Sequence, residues 1–129
     1  MNASAKKSIP PTIFVVDDEP MLLELAEAVL QSAGFNVRTF RDPQAALAEF
    51  SAANPRPAIV VTDYAMGAMN GLDVIRECRR IQPQQKIILL SGTVNENIYA
   101  EAPVKPDSFL AKPYQAHDLI ALVQSLAAA

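Results

Sequence analysis

Two textures alternate along the chain. Three runs of five residues, TIFVV at 12–16, AIVVT at 58–62 and KIILL at 86–90, carry almost no polar interruption. That is the pattern of strands buried on both faces of a parallel sheet. Residues 35–40 alternate apolar with polar positions, and 108–111 form one more short run; both predict strands. Between these runs the apolar residues recur at helical spacing. Met21, Leu22, Leu25, Ala26, Val29, Leu30 and Ala33 predict one apolar helix face, opened by Pro20 and closed by Gly34. Asp42-Pro43 pairs an N-cap with a first-turn proline, and predicts a helix that Asn54-Pro55-Arg56-Pro57 breaks. A loop with Gly67 and Gly71 leads to a helix ending near Ile81. Residues 95–102 predict a short helix curtailed by Pro103 and Pro106, and Leu119, Leu122, Val123 and Leu126 predict a final amphipathic one.

Strict alternation of strand and helix predicts the α/β class, with a sheet covered on both faces. Right-handed crossovers favour a doubly wound five-stranded parallel sheet in the order 2-1-3-4-5, the flavodoxin-like arrangement, with helices on both faces. Residues 1–11, small, polar and proline-ended, read as a flexible arm, leaving 12–129 as one domain. With 129 residues, half of them apolar, the chain can bury a core without disulfides. The single cysteine, Cys78, excludes an internal disulfide and fits a reducing, cytoplasmic setting. No apolar run is long enough to span a bilayer, and a net charge of −3 argues against a broad nucleic-acid surface.

The chemistry gathers at the strand ends. The first strand ends in Asp17-Asp18-Glu19, the third in Asp63, the fourth in Ser91 and the fifth in Lys112. Taken singly, an acid or serine after a strand is most often a cap or turn residue. In the predicted order these four strands are neighbours, and ligands of such sheets bind beyond their carboxyl ends. Two carboxylates about 4 Å apart repel by roughly 4 kcal/mol at an effective dielectric near 20. Asp17, Asp18 and Asp63 therefore call for a cation, and an all-oxygen donor set suits Mg²⁺. An Asp63 oxygen can then act as nucleophile toward a phosphoryl group, with Lys112 and Ser91 taking up the added charge.

The stretches VVDDEP (15–20), VTDYAMGAMNGLD (61–73), LLSG (89–92) and FLAKP (109–113) occur in this order. Their combination resembles the bacterial two-component response-regulator receiver domain, of the single-domain chemotaxis type. The resemblance implies that Asp63 is the phosphoacceptor. It implies Mg²⁺ held by Asp18 and Asp63 directly, by Asp17 through water, and by the backbone carbonyl of Ala65. It implies that Lys112 pairs with Asp63, that Lys112-Pro113 is often cis, that Ser91 swings toward the phosphoryl group and that Phe109 then turns inward. It implies a signalling phosphoacceptor rather than an enzyme acting on a separate substrate. A histidine kinase or phosphotransfer protein is the donor and a downstream protein the target, the chain being a monomer or weak dimer in the cytoplasm, without nucleic acid or membrane. Gly67 stands where the family usually has proline, Phe109 replaces the alternative tyrosine, and Pro103 and Pro106 shorten the fourth helix. Ala65 and Thr93 occupy the positions that tune phosphoryl lifetime, and Ala65 cannot orient water.

Cys78 is expected to be a packed core thiol, His117 a surface residue near a helix start, and Arg76, Arg79 and Arg80 a solvated basic face. Tyr64 receives no role. Two alternatives stand beside the switch. A magnesium phosphatase of the haloacid-dehalogenase type needs its nucleophile after strand one, with a second aspartate two residues on, and a cap domain that 129 residues cannot hold. A binding module that has lost phosphorylation would not need the intact Asp17, Asp18, Asp63, Ser91 and Lys112 set. The Met1 start favours a complete single-domain regulator over a phosphate shuttle or a piece of a hybrid kinase.

Overall fold

Five short parallel strands carry the site. In the computed structural model, which describes residues 10–128, they are β1 (Thr12–Val16), β2 (Asn36–Phe40), β3 (Ile59–Asp63), β4 (Lys86–Ser91) and β5 (Ser108–Ala111). The sheet order is β2-β1-β3-β4-β5, the doubly wound topology that the alternation predicts. Helices α1 (Pro20–Ser32), α2 (Pro43–Ala52), α3 (Gly71–Ile81) and α4 (Ala116–Ala128) cover its two faces. The expected flexible arm lies outside the described residues except for Pro10 and Pro11. Their carbonyls accept hydrogen bonds from the Asn36 side chain at 3.1 Å and its backbone N–H at 3.0 Å.

Alternation along each strand divides the core in two. Phe14, Val16, Val60, Ile87 and Leu89 point to one face and pack under α2 and α3 with Phe50, Ile75 and Cys78. Ile13, Val15, Ile59, Val61, Ile88 and Leu90 point to the other and pack under α1 and α4 with Leu30, Leu119 and Val123. Cys78 is thus a core thiol, and burial pushes its pKa up to about 12. Among the described residues no helix is long and apolar enough to cross a membrane.

Three expectations are corrected. The buried face of α1 is Leu23, Ala26 and Leu30, while Met21 is 81% and Leu25 51% exposed. Leu23, Ala26 and Leu30 pack in the core under α1, and both periodic sets satisfy the same spacing. The predicted helix over 95–102 is only a 3₁₀ turn, Glu96–Tyr99, with no buried residue. Pro103 and Pro106 end it before an apolar face can form. Arg79 is not part of a solvated face. Its Nε donates to Gln85 O at 2.7 Å, one terminal nitrogen donates to Lys105 O at 3.0 Å, and the other meets the Asp107 carboxylate at 2.9 Å.

The α1 correction makes an opposed pair of outcomes. Leu30→Ala is expected to cost about 2–5 kcal/mol through the cavity it leaves, read from the urea midpoint at constant m. Met21→Ser should stay within about 0.5 kcal/mol of the parent. A large loss on Met21→Ser would restore the periodicity-based face.

Candidate functional site

Strand pairing brings the chemistry together. The β1–β3 and β3–β4 registers put Val16 beside Thr62 and Asp63 beside Leu90, while Ser91 pairs with Ala111. Asp17, Asp63, Ser91 and Lys112 therefore leave four adjacent strands at one edge. The Asp17 N–H donates to Phe40 O at 3.0 Å and the Lys112 N–H to Ser91 O at 2.8 Å, so each residue is held by a continuation of its ladder.

Lys112 joins the two buried acids. Its Nζ lies 3.0 Å from Asp17 Oδ2 and 3.0 Å from Asp63 Oδ1, with its side chain 15% exposed. Asp17 Oδ1 also accepts the Glu19 N–H at 3.1 Å. Asp18 is exposed at the rim. One oxygen from each of Asp17, Asp18 and Asp63 lies within 4.8 Å of the other two. Three carboxylates against one ammonium leave two negative charges uncompensated, and hard oxygen donors at that spacing fit a divalent cation.

Electrostatics agree with the geometry. Burial pushes the Asp63 carboxyl up, the Lys112 hydrogen bond pulls it down, and the Asp17 charge raises it again; the balance is upward. For Lys112, burial acts downward but is outweighed by the hydrogen bonds to Asp63 and Asp17, so the ammonium is held above its ordinary value. The folded protein therefore keeps Lys112 charged and resists ionising Asp63.

A groove of about 460 Å³ opens over this acidic floor, walled by Leu22, Leu25, Ala65, Thr93, Pro113 and Tyr114. Ala65 lines this groove together with Asp63. The Lys112-Pro113 bond is cis. Gly67 has φ +76°, which proline cannot adopt, so this loop follows a path closed to the usual family residue. Ser91 is buried but does not join the carboxylates. Its Oγ accepts the Thr93 N–H at 3.2 Å and the Val94 N–H at 3.0 Å. Phe109 lies half-buried, its ring 6.2 Å from that of Tyr99. His117 is exposed, its Nε2 3.3 Å from the Asp118 carboxylate.

Gly71 is a functional position that spacing alone did not single out. It begins α3 under the loop that follows Asp63, donating its N–H to Tyr64 O at 2.8 Å. A Cβ there would stand 2.6 Å from the backbone oxygen of Asp63 and 2.6 Å from a Leu89 methyl. The detectable signal is Asn70 followed three residues on by Asp73, a reciprocal capping box that fixes where the helix starts.

A family model, response regulator receiver domain, matches residues 13–124. The probable transcriptional regulatory protein TcrX of Mycobacterium tuberculosis is 32% identical over 118 residues, covering 91% of this chain and 50% of TcrX. The nitrogen assimilation regulatory protein NtrX of Azorhizobium caulinodans is 31% identical over 115 residues, 87% of this chain and 25% of NtrX. The chain thus spans half or less of these two relatives. Among solved structures, a response regulator receiver protein from Sinorhizobium medicae superposes with TM-score 0.83 at 32% identity, over 93% of this chain and 96% of that one. The response regulator TrrA of Thermotoga maritima, in complex with Mg²⁺ and beryllium fluoride, gives 0.79 at 30% identity, over 90% and 98%.

Three outcomes follow from this geometry. Because the folded state raises the Asp63 pKa, ionising it costs stability as pH rises from the unfolded pKa through the folded one. Asp63→Asn should therefore melt higher than the parent in chelator at pH 7, with the gap closing as pH falls below the carboxyl range. Added Mg²⁺ should raise the parent's melting point, by about 2.7 kcal/mol of stability at a hundredfold excess over Kd, and lift Asp63→Asn far less. Equal Mg²⁺ responses would remove Asp63 from the cation site. Gly71→Ala should cost about 1–3 kcal/mol by overpacking and weaken the Mg²⁺ response, read in the same melts.

Proposed function

Since the chain belongs to the response regulator receiver domain family, we propose that Asp63 accepts a phosphoryl group from a histidine and so sets a conformational switch in a two-component phosphorelay. The observation that carries this is Lys112 bridging Asp17 and Asp63 at 3.0 Å on adjacent strand ends, beside the exposed Asp18. The Mg²⁺ and beryllium fluoride bound to TrrA support the same assignment.

Asp18, Asp63 and the Ala65 carbonyl would hold Mg²⁺ directly and Asp17 through water, and the bound ion would supply positive charge to offset the carboxylates and the incoming phosphoryl oxygens. An Asp63 carboxylate oxygen attacks phosphorus, the phosphorus–nitrogen bond of the donor's phosphohistidine breaks, and the electron pair stays with the imidazole, which takes up a proton. Lys112, kept charged by its two acids, pairs with a phosphoryl oxygen once Asp63 is esterified. Ser91 donates its hydroxyl to a second oxygen, and Phe109 follows it inward.

Contacts made only in the phosphorylated arrangement shift an equilibrium between two conformations, and a swing from about 1:99 to 99:1 needs roughly 5.5 kcal/mol. On this reading the chain catalyses only its own phosphorylation and dephosphorylation. It works in the cytoplasm as a monomer or weak dimer, between a histidine kinase or phosphotransfer protein and a downstream protein, without nucleic acid or membrane. Ala65 offers no side-chain group to orient water and Thr93 is exposed, so the acyl phosphate is long-lived.

Incubation with Mg²⁺ and acetyl phosphate should add one phosphoryl mass to the intact protein. The adduct should vanish with chelator or in Asp63→Asn, and Lys112→Ala should slow its formation by about 10²-fold. Failure to form it, together with no stabilisation by beryllofluoride, would leave a phosphorylation-independent binding module. Decay as fast as the chemotaxis regulator's would refute the Ala65 argument.

A further inference from the structure

The loop that carries the chain from Asp63 to α3 is bonded at its ends and unbonded in its middle. The Tyr64 N–H donates to Leu90 O at 2.9 Å and the Gly71 N–H to Tyr64 O at 2.8 Å. Asn70 is held by its reciprocal cap with Asp73, at 3.0 Å each way. Among the described residues, 65–69 make no hydrogen bond. Gly67 does not stiffen the segment: it sits at φ +76°, and a Cβ built there would meet nothing within 4 Å. One side chain supplies what the backbone lacks. Ala65, Gly67 and Ala68 are exposed, whereas Met66 is 5% exposed and belongs to the core cluster under α2 and α3, with Val60, Val74 and Ile75. Met69 packs against the same cluster less deeply. Residues 65–69 are thus held by apolar burial, and a thioether chain with three rotatable bonds suits so irregular a gap.

We propose that Met66 is a positioning residue for the cation site: its burial sets how far the Ala65 carbonyl reaches toward the carboxylates of Asp17, Asp18 and Asp63, so that packing beneath the loop tunes the preference for Mg²⁺. This rests on the reading of the Ala65 carbonyl as a metal ligand. Mg²⁺ demands near-octahedral oxygens at about 2.0–2.1 Å, whereas Ca²⁺ accepts looser shells at about 2.3–2.6 Å. Asp17 and Asp63 are fixed by the Lys112 bridge and by their strand ladders. The Ala65 carbonyl has no such bond and takes its place from the residue next to it. A proline at 67 would limit the loop through its own φ; a glycine leaves that task to the methionine. Met66 does not line the groove over the acids, so it acts through the loop alone.

Calorimetric titration with MgCl₂ and with CaCl₂ tests this on the parent, Met66→Ala, Met66→Leu, Val123→Ala and Asp63→Asn, at a temperature where circular dichroism shows each variant folded. Met66→Ala should weaken Mg²⁺ binding about tenfold and Ca²⁺ binding by less than about threefold. Met66→Leu, close in volume and equally apolar, should stay within about twofold of the parent for both ions. Val123→Ala truncates a side chain in the core on the other face of the sheet. It should lower the melting point yet leave both affinities within about twofold. Should Met66→Ala not fold, Met66→Val carries the same comparison with a smaller loss.

Equal losses for the two ions in Met66→Ala would overturn the proposal, since a general loosening of the fold does not discriminate between ion sizes. So would parent-like Mg²⁺ affinity in Met66→Ala, or a loss in Val123→Ala as large as that in Met66→Ala. A parent that binds no Mg²⁺, or binds it as Asp63→Asn does, would overturn the reading of the site and this proposal with it. Parent binding that Asp63→Asn abolishes keeps that reading standing whichever way Met66→Ala turns out.

Discussion

Lys112 holds together an arrangement that would otherwise repel itself. Three carboxylates converge at the carboxyl edge of a sheet, two of them buried, and one ammonium 3.0 Å from both buried acids takes up part of their mutual repulsion. Burial alone would favour losing the lysine's charge and protonating Asp63. The paired hydrogen bonds keep the ammonium charged, while Asp63 stays poorly disposed to ionise. That residual imbalance makes the site receptive to a cation and to chemistry that spends the Asp63 charge. A fully compensated cluster would have no such drive.

The fold's contribution is placement. Parallel strands of nearly equal length, in the order β2-β1-β3-β4-β5, bring four strand ends side by side, and both faces of the central β1, β3 and β4 are buried. The acids and the lysine then sit at or directly after the ends of sheet strands. The close approach of Gly71 to the Asp63 backbone fixes Asp63 from below, and the capping box of Asn70 and Asp73 fixes Gly71. Position here comes from backbone contacts, so the reacting carboxylate needs few side-chain partners of its own.

The region after β4 departs from the rest. Prolines stop a helix from forming, and the chain replaces helical packing with the Arg79–Asp107 clamp and the hydroxyl of Ser91. Side-chain-to-backbone bonds at two points substitute for the internal ladder of a helix. They leave the middle of the segment, with Ile98 38% exposed, weakly held.

Local pattern carried much of this in the sequence. Runs of five apolar residues, their terminal acids, Ser91 and Lys112, and the alternation with helical stretches were sufficient for the sheet order, the side-by-side strand ends and the acidic cluster, because burial on both faces leaves such strands few other placements. Cys78 in the core followed from the same periodicity. Other features depended on partners distant in the chain. Which of two equally spaced sets on α1 faces inward was decided only by its packing on the sheet, leaving Met21 and Leu25 in solvent. Arg79 looked like a surface charge because its acceptors, Lys105 and Asp107, are 26 and 28 residues away. Ser91 turned to Thr93 and Val94, and Gly71 pressed against Asp63, through distances that no spacing rule contains. Periodicity reports which side of an element meets the core; only the assembled chain decides which polar atoms meet each other, since hydrogen bonds are directional and burial is not.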